Sequence, residues 1–374
     1  MADVIVLKDE RDRFGRVHQG RLQYAVEFDP SRGTHRTLLL SERCLQRERR
    51  LTSVVALGGG TGLPVVLTGL RRHLPSDCRI TAVVTAADDG GSSGTLREHY
   101  GVLPPEDVGN CLIALAHVAP EVSAALQYRF DGNSGPAHAV GNLLLTALNM
   151  VAADEVAAIR LAASLLHVED VVLPATTARA QLVAELADGQ CVRGESDIAR
   201  GGVPIAHLRI EPPDAPPTPG VLEALRTADM VVLGPGSLYT SILATLVVPG
   251  VAEAVARARA PRIFVCNLMT ERGETDGYGV AAHLEALGVH GLPSEALDYV
   301  IVNTGPIHPK VKARYATQGV EPIRADLVPS AGRPLVVPAD VLEPGPAVRH
   351  AAHKLGPLLC ELASSHPEPG GSER

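Results

Sequence analysis

The segment Leu57-Gly58-Gly59-Gly60-Thr61-Gly62-Leu63 constrains this chain more than any other. It ends the apolar, β-branched run Val54-Val55-Ala56-Leu57 and precedes a stretch that reads as a helix from Pro64 to about His73. Strand, glycine turn and helix in that order let backbone approach a ligand, because glycine has no side chain to keep it away. Free N–H groups at the helix start, with the helix dipole behind them, favour an anion. The turn departs from the dinucleotide fingerprint G-x-G-x-x-G. Gly58 and Gly60 fit its first two positions, but Leu63 stands at the third. The acidic pair Asp88-Asp89 also comes later than the single acidic residue expected about 20 residues on. A tight strand–helix turn with no ligand fits the same residues.

A length of 374 residues allows two domains or one large α/β unit. Apolar residues make up 45 % and aromatic residues only 3 %, so Ala, Val, Leu and Gly must build the core. Such a core suits helices packed on a parallel sheet. The net charge of −8 argues against a general nucleic-acid binder, and the basic stretch Arg43 to Arg50 reads as a solvated connection. The six cysteines form no C-x-x-C pair, and the start of the chain is too short and acidic for a secretory leader. Both point to reduced thiols in a cytoplasmic protein. No uninterrupted apolar run reaches transmembrane length, so no membrane insertion is expected.

From Thr52 onward strands and helices alternate. Strands are expected at Val54–Leu57, Ile80–Thr85, Asp170–Leu173, Ala206–Ile210, Met230–Leu233, Arg262–Cys266 and Tyr299–Val302. Helices are expected at Asn110–Ala119, Ala137–Val151, Asp154–Leu165, Val221–Ala228, Val251–Ala258 and Val280–Ala286. The fold class is therefore α/β, a Rossmann-like doubly wound and mostly parallel sheet with helices on both faces. Leu182 to Leu186 and Gln190 to Val192, joined by Asp188-Gly189, read as a small inserted β-hairpin. Residues 1–50 read as an N-terminal appendage with a hairpin of its own, Arg21–Phe28 and Thr37–Leu40. Residues 51–330 read as the ligand-binding domain, and 331–374 as a C-terminal segment ending in a disordered tail.

Ligands of open α/β sheets sit beyond the carboxyl ends of the strands, and glycine and polar residues gather there. Gly59, Gly60, Thr61, Gly62 and Leu63 offer backbone to phosphate. After the second strand, Asp88 and Asp89 could hold a divalent cation or accept from ribose hydroxyls. Gly91, Ser92 and Ser93, in the Gly-Gly-Ser-Ser-Gly run, read as a mobile loop with N–H and hydroxyl groups for phosphate. A plain solvated turn has the same composition. A second glycine turn, Gly234-Pro235-Gly236-Ser237-Leu238, again opens an apolar helix. Asn267 could read a base or sugar edge, and Tyr278 could stack on a base or simply pack. Asn110 is a helix cap or a ligand contact. His138 and Asn142, four apart on one helix face, point into the cleft or form a buried pair. Arg314 suits a diphosphate or lies on the surface.

No G-x-x-x-x-G-K-[ST] loop, H-E-x-x-H pair or G-x-S-x-G elbow is present, and nothing names a nucleophile or general base. As an ordered set, these motifs resemble the YvcK-type gluconeogenesis factor family. The set comprises the Gly-Gly-Gly-Thr-Gly-Leu turn, Ala87-Asp88-Asp89-Gly90-Gly91-Ser92-Ser93-Gly94, and Asp107 with Asn110-Cys111-Leu112. It continues with His138 and Gly141-Asn142-Leu143, Leu233 to Ser241, and Cys266-Asn267-Leu268-Met269-Thr270. The family is related to the 2-phospho-L-lactate transferases of coenzyme F420 synthesis, and the resemblance spans about Ser53 to Leu327. It implies a nucleotide sugar of the UDP-N-acetylglucosamine kind as ligand. It also implies a cytoplasmic role in gluconeogenic carbon use and cell shape. Gly109 stands where the family leads one to expect Arg. The rival implied by the relatives is a magnesium-dependent phospholactyl transferase. An NAD(P)-dependent oxidoreductase is a further alternative. No cofactor other than magnesium is suggested, and a homo-oligomer is compatible with the sequence.

Overall fold

The computed structural model describes residues 24–29, 34–39, 50–130, 137–326 and 334–366. The expected disordered tail falls largely outside these residues, as does most of the basic stretch from Arg43. β1 (Tyr24–Asp29) and β2 (Thr34–Leu39) form the expected antiparallel hairpin, with Tyr24 opposite Leu39. The first half of the main domain runs β3 (Ser53–Gly58), α1 (Gly62–His73), β4 (Arg79–Val84), α2 (Gly91–Tyr100), α3 (Pro105–Leu115), α4 (Pro120–Gln127), α5 (Val140–Val151), α6 (Glu155–Leu165) and β5 (Val171–Pro174). An insert follows, with β6 (Gln181–Leu186), β7 (Cys191–Arg193), α7 (Glu195–Ile198) and β8 (Ile205–Glu211). The second half continues with α8 (Val221–Thr227), β9 (Met230–Leu233), a π-helical turn (Leu238–Leu243), α9 (Ala244–Leu246), α10 (Val251–Arg257) and β10 (Arg262–Val265). It closes with α11 (Val280–Val289), β11 (Tyr299–Asn303), α12 (Pro309–Ala316), β12 (Leu335–Ala339) and α13 (Ala352–Ser365).

The main sheet has the order β12-β11-β10-β9-β3-β4-β5, and every pairing in it is parallel. Its strands are buried on both faces, which explains their near-continuous apolar runs. Val55 and Leu57 of β3 face the core shared with the insert, α8, α10 and α11. Val54 and Ala56 face the core shared with α1, α3 and α13. Starting from β3, the chain winds outward through β4 and β5, then returns and winds the other way through β9, β10, β11 and β12. The order therefore reverses between β3 and β9. Below that point Asp229 Oδ2 accepts from the backbone N–H of Thr52 (2.9 Å) and Ser53 (3.1 Å), tying the amino ends of the two strands together.

Four expectations need correcting. Ala206–Ile210 is not part of the parallel sheet. It lies within β8, which pairs antiparallel with β6 in a separate three-stranded sheet. Gly91 to Gly94 is not a loop but the first turn of α2. It coils tightly because Gly94, lacking a Cβ, admits the carbonyl of Asp89. The helix holding Asn110 begins at Pro105 and ends at Leu115, since Pro fits the first helical position and supplies no N–H there. Residues 334–366 complete the domain: β12 extends the sheet beyond β11, and α13 packs on α1. Among the described residues no single helix is long and apolar enough to cross a membrane.

Candidate functional site at the sheet switch point

Strands that diverge at their carboxyl ends leave a crevice at the point where the order reverses. Both glycine turns stand there, because Leu57 and Leu233 are paired neighbours and each turn follows directly. The turns are in contact. A Cβ on Gly62 would overlap the Pro235 carbonyl, and one on Gly236 would lie 3.2 Å from the Gly59 oxygen. A Cβ on Gly59 would meet Thr85 at 2.5 Å and Asp107 at 2.6 Å. Glycine is required here for close approach.

The two turns differ in what their N–H groups do. Gly60 donates to Asp107 Oδ2 at 2.8 Å. Beyond it, α1 starts without a side-chain cap at Thr61 and without an acidic residue in its first turn. Thr61 is exposed, and Leu63 puts its side chain into the core while its amide stays at the helix start. At the second turn, Gly236 donates to Asn267 Oδ1 at 3.2 Å. The helix start behind Ser237 is taken by a buried carboxylate. Glu274 Oε2 accepts from the N–H of Tyr239 (3.2 Å) and Thr240 (3.3 Å), and Oε1 from the Thr240 hydroxyl (3.0 Å). The amides of Tyr239 and Thr240 behind Gly234, Gly236 and Leu238 are therefore already hydrogen-bonded to Glu274. Of the two helix starts, α1 is the one without a side-chain partner on its first amides.

Ser92 gathers two distant residues, and a third joins them through Asn142. Its hydroxyl lies 2.8 Å from His138 Nδ1 and accepts from Asn142 Nδ2 at 3.1 Å. Asn142 Nδ2 also lies 3.4 Å from Glu106 Oε2, and the Glu106 amide donates to Ser93 Oγ at 3.3 Å. His138 precedes α5 rather than lying in it, yet it meets Asn142 at this point. Ser92 and Ser93 are buried and serve this network, while Gly91 stays exposed at the start of α2.

Carboxyl groups crowd the floor of the crevice. Asp88 Oδ1 accepts from the Gly90 N–H (2.8 Å), and Asp89 Oδ1 from the Ser196 N–H (2.9 Å). The insert thereby brings α7 onto the site and with it Glu195. Burial pushes the Glu195 carboxyl up to about 9, helped by the charges of Asp88, Asp107, Glu274 and Asp89. Burial raises Asp107 to about 6 against the opposing hydrogen bond from Gly60. It also raises Asp88, and it raises Glu271 and Glu274, which repel each other. Glu195 Oε2 and Glu271 Oε2 are buried with no hydrogen-bond partner. Among the described residues no group of three or more His, Cys, Asp or Glu side chains converges on a metal position.

The remaining expected residues divide. Asn267 bridges the second turn and Glu271 (Nδ2 to Oε1, 3.4 Å), and it lines a cavity of about 210 Å³ with Asn303, Thr304 and Lys312. Asn110 lies mid-helix, one turn after Asp107, and is not a cap. Gly109 faces Leu145 and Asn142 of α5, at 3.4 and 3.9 Å from a notional Cβ. Tyr278 is half-buried, and its hydroxyl bonds the Tyr239 hydroxyl at 2.9 Å. Arg314 is exposed on α12, donates to the Pro346 carbonyl and lies over the Tyr315 ring. Neither Glu195 nor Glu274 stands out as a site residue in the sequence. Each comes from another part of the chain, and neither sits in a distinctive local pattern.

The chain is 40 % identical to the gluconeogenesis factor of Bacillus subtilis over 312 residues, which cover 83 % of this chain and 97 % of that protein. It is 41 % identical to the gluconeogenesis factor of Halalkalibacterium halodurans, covering 83 % of this chain and 96 % of that protein. The chain belongs to the gluconeogenesis factor family. A family model described as 2-phospho-L-lactate transferase CofD matches residues 54–339, so the match ends with β12 and takes in both glycine turns and the insert. A crystal structure of a UPF0052 family member from Bacillus halodurans has the same fold. Its TM-score is 0.78 at 39 % identity, covering 83 % of this chain and 99 % of that one.

Proposed function

We propose that this gluconeogenesis factor binds a nucleotide sugar of the UDP-N-acetylglucosamine kind across the switch point. In this reading it acts as a regulator of gluconeogenic carbon use and cell shape. The observation that carries this reading is the contact of the two glycine turns over adjacent strands, with the uncapped start of α1 beneath them. The diphosphate lies on the amides of Thr61 to Leu63, beside the Gly60 amide that Asp107 already holds. The base takes the cavity beside Asn267 and Asn303. The buried, unpartnered oxygens of Glu195 and Glu271 accept from sugar hydroxyls. The acid floor and the anionic ligand are compatible through protons: a diphosphate raises the carboxyl pKa values further, so binding takes up protons and tightens as pH falls.

Melting shifts against UDP-N-acetylglucosamine, UDP-glucose, GDP and NAD, each at pH 6 and pH 8, test this. A ligand that binds only the native state raises the melting temperature by mass action. The expected result is a shift with UDP-sugars that is larger at pH 6. No shift with any UDP-sugar overturns the proposal. A larger shift with NAD favours the oxidoreductase. The transferase reading rests on the description of the matching family model. Asp88 and Asp89 each spend an oxygen on a backbone N–H, and no third ligand joins them among the described residues. A magnesium ion on their remaining oxygens would take its other ligands from phosphate and water.

A further inference from the structure

α5 has two unlike faces. One carries Asn142 into the Ser92 network and Leu145 into the core. The other carries Leu143, Ala147, Met150 and Val151 into solvent. No ionisable residue occurs between His138 and Asp154. Exposed apolar side chains border this face. Tyr128 and Phe130 meet edge to face with ring centroids 5.0 Å apart, and Leu165 lies on α6, which packs along α5. These six large side chains (Tyr128, Phe130, Leu143, Met150, Val151 and Leu165) are between 42 and 78 % exposed. At the full surface of each residue type these exposures amount to roughly 700 Å², polar and backbone atoms included, against about 300–600 Å² for the largest patch on a typical monomer.

We propose that this surface is the twofold interface of a homodimer. Three features select a second copy as the occupant. Leu143, Ala147 and Val151 recur every four residues, so they form one straight stripe centred on its smallest member. An antiparallel copy of α5 related by a twofold axis at Ala147 sets Leu143 of one copy on Val151 of the other. The small residue at the axis lets the helices approach. The stripe is free of charge, so two chains of net charge −8 meet there without like charges opposed. The area per copy is near the ~800 Å² of a standard interface. Because the opposite face of α5 holds Asn142, the interface lies directly behind one wall of the crevice.

Light scattering and sedimentation of the full chain test this. A dimer has twice the 39.2 kDa chain mass. The double variant Leu143→Glu/Val151→Glu is expected to weaken dimerisation by about 100-fold or more. Its circular dichroism should be unchanged, since both side chains already face solvent. In a Cys191→Ser background, Ala147→Cys should cross-link to itself under mild oxidation, while Leu222→Cys, on another surface, should not. A 39.2 kDa species at every concentration overturns the proposal, whatever else the patch then binds. So does a dimer that tolerates both glutamates and fails to cross-link through Ala147→Cys.

Discussion

Asp107 sits against the first glycine turn, with Oδ2 2.8 Å from the Gly60 nitrogen. Its carboxyl lies at about 6 instead of the ordinary 3.8, because burial outweighs that hydrogen bond. The folded state therefore binds the proton more tightly than the unfolded chain. The associated stability is fully present below pH 3.8 and is lost as pH rises through about 6. At neutral pH the ionised group is destabilising. Asp107→Asn keeps an oxygen for Gly60 and removes the titration. Relative to the wild type, it should gain about 1–3 kcal/mol on going from pH 4.5 to pH 8. Urea unfolding at the two values measures this, and an equal difference at both would sink the assignment. Glu195, at about 9, is protonated at neutral pH and makes a contrasting case. Residues such as these were the least legible in the sequence. Each carboxyl reaches the crevice from a different element, and its perturbation comes from burial, which no local pattern reports. Ser92, His138 and Asn142 could be foreseen only as candidates, and Ser92 is what joins them. Arg314 and Tyr278 had the right chemistry but found partners inside the protein.

Elements were easier to read where periodicity and length agreed. β3, β4, β9, β10 and β11 are buried on both faces and show it as apolar runs. α2 was hidden by its Gly-Ser composition, which also describes a loop. β12 was hidden by Pro338, which is tolerated there because β12 is an edge strand and needs hydrogen bonds on one side only. α13 was hidden by Pro357 within it and Gly356 beside it. The pairing of the two glycine turns, suggested by their separate strand–turn–helix patterns, is a property of two elements together. It rests on Gly62, whose missing Cβ leaves room for the Pro235 carbonyl. Gly62→Ala should push the turns apart and lower stability by about 1–3 kcal/mol, with a larger proportional loss of ligand binding. Gly202→Ala, where a Cβ meets nothing within 4 Å, should stay within about 0.5 kcal/mol. Equal effects of the two substitutions in urea unfolding would show that the contact does not hold the turns.

At the scale of the whole molecule, the last helix supports the first glycine turn from behind. α13 crosses α1 at a pair of glycines. A Cβ on Gly69 would lie 2.5 Å from the Ala352 oxygen and 3.1 Å from the Gly356 nitrogen, and one on Gly356 would overlap the Gly69 carbonyl. The close crossing buries Leu355, Leu359 and Leu362 against Val66, Leu67 and Leu70 in one core cluster. α1 is also fixed at its far end, where Arg71 lies 3.2 Å from the buried Asp170, which itself accepts from the β4 amide of Ile80 at 2.8 Å. The first glycine turn leads into the amino end of α1, so the position of that end depends on both attachments. Gly356→Ala leaves every residue of the crevice in place but forces α13 away from α1. It should cost about 1–3 kcal/mol of stability, through overpacking and loss of the leucine contacts. It should also weaken nucleotide-sugar binding, although the substituted residue lies one helix removed from the turn. Gly345→Ala, in open space on the preceding loop, is the matched control. Urea unfolding and the UDP-sugar melting shift, measured on both variants, separate the outcomes. Lost stability with full ligand response would mean that α1 is held in place without α13, and that the glycine crossing serves the core alone.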